Sequence, residues 1–278
     1  MKPCWRLAAG LLFALSFAPP FAQAGAQEAA STQRFHQVHG ARLYVETSGH
    51  GPPVLFLHGG MMFFDSGFAR QRDYFAARHT VIGIDQRGHG HSPDGPWELS
   101  YAGMAQDTAA IIEQLRVGPV DVVGHSDGAD IALILARDHP QLVRRVVVSG
   151  ANLRSDMQPS EEKFQALAAR LPPWFRSDYA RVSPDGADHF MAMLAKCYRM
   201  WAQPLVIEPA DLKKIAAPVL VIAGDHDFAS IEDTTEIFRG LPHGRLLILP
   251  DTGHGTFKER PGLINLAIGD FLGEAIEP

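Results

Sequence analysis

Val120-Asp121-Val122-Val123-Gly124-His125-Ser126-Asp127-Gly128-Ala129-Asp130-Ile131-Ala132 sets a short apolar run against a Gly-x-Ser-x-Gly and opens at once into a helical pattern. A strand that passes straight into a helix forces the residue between them into a strained turn, and glycines at 124 and 128 leave room for the two backbones to cross. The stretch therefore predicts a nucleophile elbow with Ser126 lifted clear of a sheet. Its hydroxyl then lies beside the positive end of the following helix, whose unpaired N–H groups can hold a developing oxyanion. A Gly/Ser surface turn is the plainer reading. It leaves unexplained why residues 120–123 read as a buried strand and why Ile131, Leu133, Ile134 and Leu135 recur on one helix face.

Outward from the elbow, strands and helices alternate. Upstream, residues 34–39 and 42–47 alternate in polarity about Gly40 and predict an antiparallel hairpin at a sheet edge. Residues 54–57 and 80–84 are continuous apolar runs, as expected of strands buried on both faces, with a helix predicted over 68–78 between them and another over 101–115. Downstream come a helix over 128–139 and a strand over 143–149. After an interruption follow strands at 219–223 and 245–249 and helices at 231–241 and 261–272. Alternation of this kind implies an α/β fold, a mostly parallel twisted sheet with helices on both faces. The interruption, residues 152–209, carries Pro159, Pro172, Pro173 and Pro184 with short helical patterns rich in aromatics and methionine. Fewer than sixty residues without metal or disulfide make a marginal independent domain, so this segment is expected to be a helical lid inserted into the core. The core is then residues 25–151 and 210–278.

Residues 1–24 have a basic start (Lys2, Arg6), an apolar run of twelve residues from Leu7 to Ala18, and Ala22-Gln23-Ala24. This predicts a secretory signal peptide cleaved after Ala24, since the run is too short to span a bilayer. The product is expected to be soluble, off the membrane, and periplasmic or secreted. Its loss removes two basic residues and takes the formal charge from −6 to −8, which makes nucleic acid an unsuitable partner. Of the two cysteines only Cys197 remains, so an internal disulfide is impossible and Cys197 reads as a packed thiol.

A serine hydroxyl is a poor nucleophile until a base takes its proton, and the base needs an acid to hold its ring. Both should follow later strands, in the order Ser, acid, His. Gly224-Asp225-His226-Asp227 follows one such strand and Asp251-Thr252-Gly253-His254-Gly255 the next. The expected triad is Ser126, Asp227 and His254, with Asp227 chosen over Asp225 because it sits further along its loop; Asp225 is left to shape the turn. The loop His58-Gly59-Gly60-Met61 should supply the second oxyanion donor, Gly60, beside the N–H of Asp127, with Met61 as the fallback and a further candidate substrate contact. Thirteen histidines raise a metal site, His89, His91 and His125 being the obvious ligands. No His-Glu-x-x-His or Cys/His spacing occurs, so neither metal nor cofactor is expected, and Asp85 and Arg87 are expected to brace their polar turn.

His58-Gly59-Gly60, Asp85-x-Arg87-Gly88-x-Gly90-x-Ser92, Gly124-x-Ser126-x-Gly128, Gly224-x-x-Asp227 and Gly253-His254 resemble, in content and order, the α/β-hydrolase superfamily. Within it, Ser126-Asp127-Gly128, Ala132-Leu133, His139-Pro140 and Ser149-Gly150-Ala151-Asn152 look most like the biphenyl-hydrolase-like proteins, including the valacyclovir hydrolase type. The resemblance implies a metal-free serine hydrolase of small carboxylic esters or amides working through an acyl-enzyme. A C–C bond hydrolase or a small aminopeptidase would use the same triad. Dehalogenases and epoxide hydrolases are disfavoured, since those relatives carry Asp where this chain has Ser126. A low-turnover ligand receptor on the same scaffold is the alternative from another class. For the Asp127 side chain two expectations stand together: stabilisation of the helix N-terminus, or, as the resemblance implies, pairing with the cation of an α-amino ester. Most of the lid aromatics and methionines, from Trp174 to Trp201, are expected to pack rather than to bind.

Overall fold

The computed structural model describes residues 31–155, 157, 159–203 and 207–275; the expected leader, residues 1–24, lies outside them. Strands β1 (Thr32–Val38) and β2 (Ala41–Gly49) form the edge hairpin, turned by His39 and Gly40 at φ of 45° and 78°. With β3 (Pro53–Leu57), β4 (Thr80–Ile84), β5 (Val120–His125), β6 (Val143–Ser149), β7 (Val219–Gly224) and β8 (Gly244–Leu249) they make an eight-stranded sheet in the order β1-β2-β4-β3-β5-β6-β7-β8. Strands β3 to β8 run parallel, and β2 is antiparallel to both its neighbours. The chain leaves β3 for β4 on one side and returns to β5 on the other, so a crevice opens at the carboxyl ends of β3 and β5. An open parallel sheet characteristically binds its ligand at such a switch point.

Side chains alternate across the sheet, and each face has its own core. On one face Val54, Phe56, Val81, Val123, Val147 and Ile222 pack under α1 (Phe64–Phe75) and later helices. On the other, Leu55, Leu57, Val122, Val146, Val148 and Val221 pack under α2 (Tyr101–Leu115) and α3 (Asp127–Asp138). Between β6 and β7 the alternation is broken by α4 (Glu161–Arg170), α5 (Pro173–Val182) and α6 (Phe190–Trp201), the helical insert. Helix α7 (Ile231–Gly240) joins the second face through Ile237, and α8 (Thr256–Glu259) and α9 (Pro261–Leu272) join the first. Phe56 sits at the centre of the first core, its ring 5.1 to 6.2 Å from those of Phe64, Phe68 and Phe75.

Helix α1 begins four residues before its predicted start and ends three before its predicted end. Its start is held by a long-range bond that periodicity does not report, the Phe64 N–H donating to Asp85 Oδ1 at 2.8 Å, beside a local one from the Phe63 N–H to Ser66 Oγ at 3.0 Å. Phe68, where the predicted helix starts, is non-helical and kinks it (φ −134°, ψ 16°). Helix α2, by contrast, matches its prediction, because Ser100 caps it locally by accepting from the Gly103 N–H and Arg116 ends it in the left-handed region.

Candidate active site

The β5–α3 junction is as tight as the glycine spacing implies. A Cβ on Gly124 would press into the Gly128 carbonyl, and one on Gly128 into the Leu57 carbonyl of the neighbouring strand. Ser126 between them takes φ 54°, ψ −124°, a conformation that costs a non-glycine residue about 1–3 kcal/mol and persists because the surrounding strands dictate it. Its N–H is tied to the Ser149 carbonyl at 2.8 Å and its own carbonyl accepts from Ala129 and Asp130. Helix α3 starts at Asp127, so the first N–H groups after the serine have no intrahelical partner.

Two loops at the carboxyl ends of β7 and β8 bring Asp227 and His254 together. His254 Nδ1 and Asp227 Oδ1 are 2.8 Å apart, with the Asp227 side chain fully buried and that of His254 about one-fifth exposed. Asp227 Oδ1 also accepts from the Ala229 N–H at 3.0 Å. Asp225 instead accepts from the Thr252 N–H at 3.0 Å, and that bond, with others from the backbone, holds its carboxyl below the usual range. It ties the two loops and does not meet His254. Beneath the imidazole lies Gly150, at φ 67°, where a Cβ would collide with the ring. Phe228 lies over the ring from the solvent side, centroids 4.0 Å apart.

Ser126, Asp127, Gly60 and His254 all face one cavity of about 710 Å³, within the range of small-molecule sites. Its floor is the loop after β3, with Gly59 against the Ser126 Cβ; its roof includes Leu167, Phe175 and Trp201 from α4, α5 and α6, and Leu171, which caps α4. Met61 is not in this wall. Its side chain is buried in the core and its N–H is directed at the Cys197 sulfur, so the fallback donor and candidate contact is removed and Met62 lines the cavity instead. Of the insert's aromatics and methionines, Tyr179, Phe190, Met193 and Met200 are core residues, while Phe175 and Trp201 reach the cavity.

The Asp127 carboxylate is buried in the cavity wall, accepting from Trp201 Nε1 at 2.9 Å and Tyr101 Oη at 3.0 Å. Burial raises its pKa against the pull of these two donors. Both donors are uncharged, and among the described residues no cation pairs with Asp127. Tyr101 opens α2 and Trp201 closes α6, so nothing local to Asp127 in the sequence announces either. At the rim Arg154 binds both Glu236 oxygens at 2.8 and 2.9 Å.

The histidines weighed as ligands go elsewhere. His91 bonds Asp85 at 2.9 Å, His125 Nε2 bonds the His254 carbonyl at 2.8 Å, and His89 is buried against Arg87 and Cys197 and pushed down to about 3 by that burial. Among the described residues no three His, Cys, Asp or Glu side chains converge as a metal set. Arg87 grips Asp107 with two bonds of 2.7 Å, and Asp85 collects the N–H groups of Phe64 and His91, which braces the turn after β4. Burial pushes the Cys197 thiol well up, as suits a packed thiol.

The α/β hydrolase fold family model matches residues 52–214, more than half of the chain. An AB hydrolase superfamily protein of Bacillus subtilis is 28% identical over 82% of this chain and 94% of its own length. A 2-hydroxymuconate semialdehyde hydrolase of a Pseudomonas strain is 26% identical over 85% and 92%. Among solved structures, the meta-cleavage product hydrolase of Pseudomonas fluorescens superposes with a TM-score of 0.71 at 20% identity, covering 84% of this chain and 94% of that one. The crevice at the switch point, the serine on its strained turn and this match over most of the chain together make it a hydrolytic member of the α/β-hydrolase fold family.

Proposed function

We propose that this protein is an exported serine hydrolase that cleaves small carboxylic esters or amides through an acyl-enzyme. The observation that carries the reading is the shared cavity: Ser126 on a strained turn and His254 face the same space, with His254 Nδ1 held at 2.8 Å by a buried carboxylate. In this reading His254 Nε2 takes the Ser126 proton as Oγ attacks the acyl carbon, and Asp227 stabilises the imidazolium. The oxyanion turns to the N–H groups of Gly60 and Asp127. The proton passes to the leaving oxygen or nitrogen, and water repeats the sequence to release the acid and free Ser126. Asp127 deepens the expectation for the acyl half. A buried carboxylate with only neutral donors is a receptor for an ammonium group, which favours α-amino esters. Cleavage of a C–C bond is the second reading, supported by the 2-hydroxymuconate semialdehyde hydrolase among the relatives.

Hydrolysis of an activated acyl ester by the wild type, beside Ser126→Ala, tests the reading. Turnover lost in the variant supports it, retained turnover overturns the assignment of Ser126, and absence of turnover in both favours the receptor alternative. Export rests on Lys2, Arg6, the apolar run 7–18 and Ala22-Gln23-Ala24. Mass spectrometry of the chain expressed in a bacterium should find a mature N-terminus near Gly25 in the exported fraction. An intact leader on active cytoplasmic protein would overturn it.

A further inference from the structure

His254 borders two cavities. The first, described above, holds Ser126 and Asp127; the second, of about 160 Å³, holds neither and is walled by Met62, Trp174, Phe175 and Phe257, with His254 at one side and Lys258 at its edge. Met62, His125, Phe175 and His254 belong to both, so the spaces adjoin at the imidazole. A cavity of about 150 Å³ in an apolar core takes a benzene ring. The second space therefore suits one ring or a chain of four or five carbons.

The cation at its edge is held in place. Lys258 Nζ stands 4.2 Å from the centroid of the Trp174 ring, which stacks on Phe175 at 3.8 Å. Among the described residues no carboxylate is within salt-bridge distance of it; Asp178, the acid that acts on it from α5, is bonded by Arg181 at 3.2 Å. Lys258 is exposed at the rim, and partial desolvation by the side chains around it, with no carboxylate in reach, lowers its pKa, which leaves an unpaired ammonium open to an anion.

We propose that this second cavity is the leaving-group subsite and that it selects a short apolar alcohol ending in a carboxylate, which Lys258 receives. The inference rests on the reading of His254 as the group that protonates the leaving oxygen. That oxygen must lie within hydrogen-bond reach of the imidazole when the acyl C–O bond breaks. The acyl carbon stays on Ser126 Oγ, the proton goes from His254 Nε2 to the departing oxygen, and the rest of the alcohol occupies space next to His254 away from Asp127. The second cavity is such a space, and among the described residues that line it Lys258 carries the fixed charge, which is positive.

The test compares two acetate esters, of 4-(hydroxymethyl)benzoate and of 4-methylbenzyl alcohol, on wild type, Lys258→Met and Lys258→Glu. Calorimetric titration of free 4-(hydroxymethyl)benzoate runs in parallel into the Ser126→Ala protein with and without Lys258→Met. The ratio of kcat/KM, charged over neutral, should be a few-fold, up to about fivefold, in the wild type, the effect of one exposed charge pair, about one in Lys258→Met and below one in Lys258→Glu. Binding of the free acid should weaken by a similar factor with Lys258→Met. A ratio that is the same in all three proteins, with turnover intact, overturns the subsite and leaves the hydrolase reading standing. Lys258-dependent binding without turnover of any ester overturns the hydrolase reading and the leaving-group role with it, leaving only carboxylate binding in the cavity, and loss of both signals overturns that binding as well.

Discussion

Replacing Asp227 by Asn keeps the shape of the side chain and removes its charge from a place where water cannot replace it. The carboxylate is fully buried, its Oδ1 2.8 Å from His254 Nδ1. Taking the charge centres of carboxylate and imidazolium as about 4 Å apart and an effective dielectric of about 20, their attraction is about 4 kcal/mol. That is felt only when the ring is protonated, that is, in the transition state, and corresponds to about a thousandfold in rate at about 1.36 kcal/mol per decade. Asn can also present its amide N–H to Nδ1 and reverse the tautomer, which turns the base away from Ser126 and adds about another decade. Asp225→Asn is the control: an amide oxygen still accepts the Thr252 N–H, so kcat/KM should change only a few-fold. The assay is kcat/KM on one activated ester, with melting temperatures to show that both variants fold. A larger loss from Asp225→Asn than from Asp227→Asn would refute the assignment.

Ser126→Ala and Ser126→Gly should both abolish turnover, but glycine alone accepts φ 54°, ψ −124° freely, and after its entropy cost in the unfolded chain should be about 1 kcal/mol more stable by denaturant melting than the alanine protein; equal stabilities would mean that the turn is not strained. Burial brings His125 from an ordinary 6.5 down to about 4, so the unfolded chain binds a proton that the folded one refuses between these values. Stability is thus full above pH 6.5 and falls as the pH drops toward 4, by about 3 kcal/mol from this residue, and His125→Gln should flatten that slope in urea melts. Asp127→Ala should lower kcat/KM for an α-amino ester far more than for its uncharged isostere, since a broken buried charge pair costs about 3–5 kcal/mol; an equal loss on both would assign Asp127 to the helix terminus alone.

What was legible from the residues was what the chain encodes over short distances. Apolar runs of four or five residues specify strands buried on both faces wherever they end up. Gly124 and Gly128 specify a crossing so close that no side chain fits, and Ser100 caps α2 from three residues away. The order of motifs along such a sheet then brings the loop with Asp227 to the loop with His254, because parallel strands put the loops after them on one edge. The start of α1 was not legible, because Asp85 holds it from 21 residues away. Nor was the surplus of charge in the cavity wall, since Tyr101 and Trp201 reach Asp127 across 26 and 74 residues. Met61 and Met62 are alike as residues, and only the left-handed turn at Met61 (φ 56°) decides that the second lines the cavity while the first packs the core. Local propensity determines which elements form; which side chains meet at long range is decided by packing, where shape and burial act at distances that the chain order does not record.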